Sequence, residues 1–82
     1  MRNKLRNKYI ISLKCIDEGN SWGLKYDQCV WFKDKNGVTA FTTNEWEATL
    51  FNDKRNLSGL IEKIIDEGDF TPFIRVVHLA ID

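Results

Sequence analysis

The stretch Tyr26–Thr42, YDQCVWFKDKNGVTAFT, decides the fold that this sequence predicts. Asn36-Gly37 lies near its centre, and Asn-Gly is the strongest short-range hairpin signal because a type I′ turn requires positive φ at both central positions. The residues on either side are rich in aromatic and β-branched types, which favour strands. We therefore predict a β-hairpin with strands over Tyr26–Lys33 and Val38–Thr42.

Two further strands are predicted towards the ends of the chain. Residues Lys8–Ile16 alternate at period two between an apolar and a mixed face. Phe73–Ile81 is apolar on both of its alternating faces, which is typical of a central strand covered on both sides. Together with the hairpin, these strands make an antiparallel sheet of about four strands.

Two helices are predicted between the hairpin and the last strand. Asn44 and Glu47 have the spacing of a capping box, so a short helix is expected over Glu45–Phe51, and Trp46 is expected to anchor it in the core. A second helix follows, with Asn56 as N-cap and Gly68 as the glycine that ends it. Its apolar stripe at i, i+3, i+4, i+7 and i+8 consists of Leu57, Leu60, Ile61, Ile64 and Ile65.

The predicted fold is therefore α+β, in the order β-β-β-α-α-β, with both helices packed on one face of the sheet. The length of 82 residues and the 43% of hydrophobic residues indicate one small globular domain and exclude a disordered chain. No segment approaches the roughly 20 apolar residues of a membrane span, and no cleavage site of a signal peptide follows the basic leader. We therefore expect a cytoplasmic protein whose Cys15 and Cys29 are reduced thiols.

Charge is balanced over the whole chain but uneven along it. The 12 Lys and Arg residues equal the 12 Asp and Glu residues, which disfavours a strongly basic nucleic-acid-binding protein. Residues 1–7 nevertheless form a basic leader, predicted to be flexible, ahead of a domain over residues 8–82. Many proteins bind single-stranded nucleic acid with such an arm and an aromatic sheet face. The alternative function is thus a nucleic-acid-binding regulator that uses Arg2, Lys4, Arg6 and Lys8.

No group of residues in the sequence predicts catalysis. His78 is the only histidine, and its apolar neighbours indicate a packed or edge position on a strand. Cys15 and Cys29 have no sequence neighbour that would activate a thiolate. The chain lacks the glycine motifs that bind phosphates or nucleotides and the spacings that bind zinc. We therefore expect no enzyme activity, no cofactor and no metal.

Tryptophans and a group of carboxylates are the candidate contacts for a partner. Trp22 lies in a polar loop, where it either folds back as a lid or is presented to a partner. Trp31 and its neighbours put aromatic side chains on both faces of the hairpin, and the helices can cover only one face. Asp66, Glu67 and Asp69 cluster at the C-terminus of the second helix, the end where its dipole disfavours anions. Either a solvated surface or a partner contact explains these carboxylates.

The sequence also resembles a family in four segments: YIISL (Tyr9–Leu13), FTTNEWEATLF (Phe41–Phe51), LIEKII (Leu60–Ile65) and IRVVHL (Ile74–Leu79). Their succession is similar to small accessory proteins of phages and mobile elements in low-GC Gram-positive bacteria. The resemblance implies a cytoplasmic protein of the bacterial host that inhibits or modulates a host or defence protein by occupying its surface, as anti-CRISPR proteins do. It transfers no catalytic residues. A homodimer through the uncovered sheet face or an edge strand is a further possibility from the sequence.

Overall fold

The protein is a four-stranded antiparallel sheet with one α-helix in the part of the chain described. A computed structural model describes the backbone of residues 4–35 and 38–81, and the side chains of residues 7–34, 40–55 and 57–78. The strands are ordered β3-β2-β1-β4 in the sheet. The elements in chain order are β1 (Lys4–Cys15), β2 (Cys29–Lys35), β3 (Val38–Thr42), two 3-10 turns (Glu45–Glu47 and Lys54–Asn56), α1 (Ser58–Glu67) and β4 (Phe70–Ile81).

Strands β2 and β3 confirm the predicted hairpin. Lys35 lies opposite Val38, so the connection between the two strands is as short as the sequence predicts. Strand β2 begins at Cys29 and not at Tyr26 as predicted, because residues 26–28 still belong to the loop before it. The type I′ turn predicted at Asn36-Gly37 lies outside the described residues.

Strands β1 and β4 form a long antiparallel ribbon. Their pairing runs without a break from Lys4 opposite Ile81 to Cys15 opposite Phe70. Residues 4–7, which the sequence assigns to the basic leader, belong to β1, and residues 1–3 lie outside the described residues. The ribbon makes the molecule elongated, with extents of 52 × 23 × 22 Å.

Strand β4 lies at an edge of the sheet, and the prediction of a central strand is wrong. Strand β1 is central instead, because it pairs with both β2 and β4. Strand β4 also begins before Phe73 and includes Pro72. The Ile16 N–H donates to the Asp69 carbonyl at 3.1 Å. Since alternate residues of an antiparallel strand bond to the same neighbour, odd-numbered residues of β4 face β1, and Pro72 directs its backbone nitrogen away from β1. A missing N–H at that position removes no bond to β1, which is why proline is tolerated there.

The helix predicted over residues 45–51 is wrong, and so is the expected pair of helices on one face of the sheet. Glu45–Glu47 makes one 3-10 turn, and Ala48 is already extended. Phe51 then exchanges backbone hydrogen bonds with Tyr9 of β1, at 2.8 and 2.9 Å. Strand β1 pairs with β2 only over Ser12–Lys14. Residues 45–51, which we call the inserted segment, lie beside the earlier part of β1 and satisfy backbone groups at Tyr9 that β2 does not reach. A helix this short gains too little from its own bonds to compete.

The cap of this turn is confirmed, but the predicted position of Trp46 is wrong. The Asn44 side chain accepts the Trp46 N–H at 3.0 Å. Glu47 does not close a capping box, because its carboxylate accepts the Thr42 hydroxyl at 3.1 Å. Trp46 is 91% exposed. Since no helix forms, Trp46 does not enter the core; with Leu50 it lines an open pocket beside Ile10 and Val77 of the sheet.

The second predicted helix is confirmed as α1. It ends where expected, at Gly68, whose φ of +78° is the left-handed conformation that favours glycine. Its start differs from the prediction: Leu57 precedes the first turn without a side-chain cap, and Asn56 ends the preceding 3-10 turn. The cap of that 3-10 turn is Asp53, whose side chain accepts the Arg55 N–H.

The core lies between α1 and one face of the sheet, which we call the helix face. Because Ser12 pairs with both Trp31 and Phe73, these three residues share the opposite face. Ile65, the last residue of the predicted helical stripe, is exposed. The buried residues of the core are Ile11, Leu13, Cys15, Val30, Phe32, Leu57, Ile64 and Phe70.

Candidate partner-binding site

The loop between β1 and β2 is organised by the side chain of Asn20. Its Nδ2 donates to the carbonyls of Asp17 at 2.7 Å and Leu24 at 2.8 Å. Its Oδ1 accepts the N–H groups of Trp22 at 3.1 Å and Leu24 at 3.0 Å. Gly23, at φ +77°, allows the sharp turn between them. These contacts fix the backbone on both sides of Trp22.

Trp22 folds back onto the sheet and joins two phenylalanines. Its ring stacks on Phe70 with centroids 5.3 Å apart and an interplanar angle of 17°. It meets Phe41 edge to face, at 5.4 Å and 74°, and the centroids of Phe41 and Phe70 are 5.7 Å apart. Trp22 is still 45% exposed, whereas Phe70 is buried. Trp22 therefore does both things that the sequence left open: it covers the edge of the core and presents indole surface to solvent.

A pocket of about 220 Å³ opens beside these three rings. Glu67 ends α1 and Asp69 precedes β4, so the turn at Gly68 brings both acidic residues to the lining of the pocket. Loop, hairpin and helix end thus meet at one place. We call it the acidic–aromatic pocket, and its lining residues are Trp22, Ala40, Phe41, Glu67, Asp69 and Phe70.

The acidic–aromatic pocket has negative charge without an internal counter-charge among the described side chains. Asp66, Glu67 and Asp69 lie at the C-terminal end of α1, where the helix dipole already disfavours anions. The last turn of α1 contains no basic residue. The described ion pairs use other acids, which are Asp27, Glu47 and Asp53. A positively charged group entering the pocket would therefore meet unneutralised carboxylates.

The structure brings together three of the five predicted partner-binding residues. Trp22, Glu67 and Asp69 line the acidic–aromatic pocket. Asp66 is exposed on α1 and does not line it. Trp31 is half-buried on the opposite face of the sheet, and its indole nitrogen is buried with no hydrogen-bond partner among the described residues. Trp31 therefore does not belong to the same site.

Phe41 and Phe70 are site residues that the sequence analysis did not select. Phe41 looks like any other strand residue of the hairpin. Phe70 precedes Pro72, and the last strand was predicted to begin only after this proline, so Phe70 was left outside it. The signal for Phe70 was nevertheless present, because it is in phase with Ile74 and Val76, two residues of the apolar alternation of that strand.

Of the basic residues selected for nucleic-acid binding, Lys4, Arg6 and Lys8 lie in the half of β1 that is far from the acidic–aromatic pocket. Arg2 is outside the described residues, and of Lys4 and Arg6 the structure describes the backbone in β1. The Lys8 ammonium donates to the side-chain oxygen of Asn52. The structure therefore does not combine this basic group with the aromatic residues around Trp22.

The thiols and the histidine do not converge. Cys15 is buried in the core on the helix face, while Cys29 is exposed and pairs with Lys14 on the opposite face. His78 is exposed near the end of β4. Over residues 4–35 and 38–81, no three or more His, Cys, Asp or Glu residues are grouped so as to hold a metal ion. In the same part of the chain, α1 is too short and too polar to cross a membrane.

Comparison with known proteins found no match among family models, curated proteins or solved structures. The resemblance to phage and mobile-element proteins stays a prediction.

Proposed function

We propose that this protein is a non-enzymatic binding protein that occupies the surface of a partner protein through the acidic–aromatic pocket. One observation carries the proposal: a half-exposed tryptophan, Trp22, lies beside two carboxylates that no described basic side chain neutralises. Tryptophan is favoured at the centres of protein interfaces because it buries a large area at a small cost in side-chain entropy. The loop that holds Trp22 is fixed by Asn20, so binding requires little further ordering.

The chemistry of the pocket favours a basic side chain of the partner. The faces of aromatic rings attract ammonium and guanidinium groups, and Glu67 and Asp69 add charge-assisted hydrogen bonds. A guanidinium suits both features, because it stacks flat on an indole and pairs with carboxylates at its edge. The expected contact is therefore an exposed arginine of the partner, with lysine as the weaker fit.

We further propose that this partner is a host or defence protein, as the resemblance to accessory proteins of phages and mobile elements implies. Exposed arginines are frequent on the nucleic-acid-binding surfaces of proteins. Occupying such a surface would inhibit the partner without any chemistry.

The test uses substitutions that remove charge without removing packing. Glu67→Gln with Asp69→Asn should weaken capture of the partner from host lysate and weaken binding of blocked arginine, followed by NMR shifts of the pocket residues. The same variant should be as stable as the wild type or more stable by about 0.3–1 kcal/mol, because repulsion at the helix end is relieved. A loss of binding together with unchanged or raised stability separates function from folding.

Two matched controls lie outside the pocket. Asp66→Asn removes a neighbouring carboxylate of α1, and Trp46→Ala removes an exposed tryptophan, so both should bind like the wild type. Trp22→Ala should bind as poorly as the double variant. If Glu67→Gln with Asp69→Asn captures the same partner as strongly as the wild type, the pocket is not the binding site. Salt-dependent binding of single-stranded oligonucleotides, lost when Lys4 and Arg6 are replaced, would instead favour the nucleic-acid alternative.

A further inference from the structure

Strand β4 has backbone groups that face away from the sheet. The residues of β1 that bond to β4 are the even-numbered ones, as the Ile16–Asp69 bond shows, and they lie opposite odd-numbered residues of β4. By the alternation of an antiparallel ladder, Ile74, Val76 and His78 therefore direct N–H and C=O outward. Strand β4 is the last strand of the sheet, and no described loop or turn bonds to these groups.

The side chains along this edge are exposed and mostly apolar. Val76 is 51% exposed, and Phe73 and Ile74 are exposed as well. Arg75 is the one Lys, Arg, Asp or Glu residue among residues 70–78. Proteins usually protect an edge strand by keeping it short or charged. Strand β3, the other edge, is short at 5 residues, whereas β4 has 12.

We infer that β4 pairs antiparallel with β4 of a second copy of this chain, about a two-fold axis at Val76. Directly opposed residues of an antiparallel pair project on the same side of the sheet. When the two-fold axis lies at a residue, every residue of one copy is opposed by a residue on the same face of the other copy. When the axis falls between two residues, opposed residues belong to opposite faces and the strands cannot pair. Near the middle of the exposed edge, the axis can therefore lie at Ile74, Arg75 or Val76, since an axis at Val77 would leave Phe70–Pro72 without a partner.

Charge and proline select among these three positions. An axis at Arg75 would place two guanidinium groups directly opposite each other, which is destabilising. An axis at Ile74 would place Pro72 opposite Val76, inside the new ladder, where proline has no N–H to donate. An axis at Val76 places Arg75 opposite Val77 and moves Pro72 to the end of the paired segment, where the missing donor matters least.

The resulting dimer has one continuous antiparallel sheet. The two Val76 residues exchange both of their backbone bonds, and Ile74 pairs with His78 of the second copy. Each Phe70 lies six residues from the axis, so at about 3.4 Å per residue the two acidic–aromatic pockets are roughly 40 Å apart. Both pockets stay open in the dimer, and the inference does not depend on the proposed function.

The test introduces a charge at Val76, the residue that lies opposite Val76 of the second copy. Wild-type protein should have the mass of two chains in sedimentation and light scattering at micromolar concentration. Val76→Lys and Val76→Glu should each weaken self-association by about tenfold or more, because like charges meet at the axis. An equimolar mixture of the two variants should recover the dimer. Ile65→Lys, a matched charge on the exposed surface of α1, should leave self-association unchanged.

Far-UV circular dichroism should show that both Val76 variants remain folded, since this side chain is half exposed in the monomer. Val76→Pro gives a second measurement: it removes an outward N–H and should produce a folded monomer, as Pro72 is tolerated in the same strand. A wild-type protein that is monomeric at all concentrations up to about 100 μM overturns the inference. So does a Val76→Lys variant that dimerises like the wild type, or a mixture that fails to recover the dimer.

Discussion

Helix α1 and the segment over residues 45–51 both lie against the sheet, but they are held there mainly by different interactions. Helix α1 satisfies its backbone internally and contributes side chains, with Ile64 1% exposed. The segment contributes backbone hydrogen bonds, between Phe51 and Tyr9 and from the Thr49 N–H to the Phe32 carbonyl at 3.1 Å, and a smaller apolar contact through Ala48 and Phe51. Its largest side chain, Trp46, is almost fully in solvent.

The two kinds of contact with the sheet therefore contribute different amounts to the free energy of unfolding. Loss of a buried side chain removes apolar burial and leaves a cavity, whereas loss of a hydrogen bond at the inserted segment removes a smaller and more local term. The two regions should therefore respond differently to substitution. The expected effects below run from the largest to the smallest.

Ile64→Ala should lower the free energy of unfolding by about 2–5 kcal/mol, because Ile64 is buried in the core below α1. Trp46→Ala, a larger truncation in the inserted segment, should change it by no more than about 0.5 kcal/mol. Urea denaturation followed by circular dichroism measures both. Equal losses in the two variants would contradict the contrast between the regions.

Gly68→Ala should destabilise α1 by about 1–2 kcal/mol, because Gly68 has φ +78° and alanine is strained there. Gly59→Ala is the matched control in the first turn of the same helix, where an added Cβ meets nothing within 4 Å. That variant should gain about 0.5–1 kcal/mol from helix propensity. Opposite shifts in melting temperature are expected, and shifts of the same sign would rule out this assignment of the helix end.

Thr49→Val should cost about 1 kcal/mol, because the Thr49 hydroxyl accepts the Asp34 N–H at 2.7 Å and joins the inserted segment to β2. Thr43→Val makes the same chemical change at an exposed position next to the hairpin and should be close to neutral. Amide hydrogen exchange should also become faster at Asp34 in the first variant alone. Unchanged exchange there would show that the inserted segment is held without this bond.

The smallest effect is expected at Asp53, which caps the turn between the two regions. The side-chain hydrogen bond from Arg55 holds the pKa of Asp53 below its ordinary value of 3.8. A lowered pKa in the folded state stabilises the protein fully above that ordinary value, and the contribution is lost as the pH falls through the folded-state pKa. Asp53→Asn should therefore differ slightly from the wild type at about pH 6 and converge with it at about pH 2. A difference that grows on acidification would contradict the sign.

Much of the local structure follows from the sequence, because its signals act within a few residues. Asn36-Gly37 between β-rich segments predicted the hairpin, and the apolar stripe with Gly68 predicted α1. Asn44 capped a turn as expected. The same type of reasoning failed at residues 45–51, where a local capping signal competed with backbone groups of β1 that lie far away in the sequence.

The residues of the candidate site were partly predicted from the sequence, whereas their arrangement in space was not. Trp22, Glu67 and Asp69 were selected from the sequence by a polar loop and an unfavourable helix end. Their meeting around Phe41 and Phe70 depends on the order of the strands, which puts the start of β4 beside the loop that follows β1. No local pattern encodes that order.

By itself, then, the sequence determined which segments form strands, the hairpin and α1, and it predicted candidate residues for binding a partner. Only the tertiary structure decided that β4 is an edge, that residues 45–51 enter beside β1, and that Trp22 and two carboxylates share one pocket. The physical reason is that propensities and caps are satisfied by neighbours in the chain. Strand order and burial are settled by the competition among distant backbone and apolar groups for the same partners.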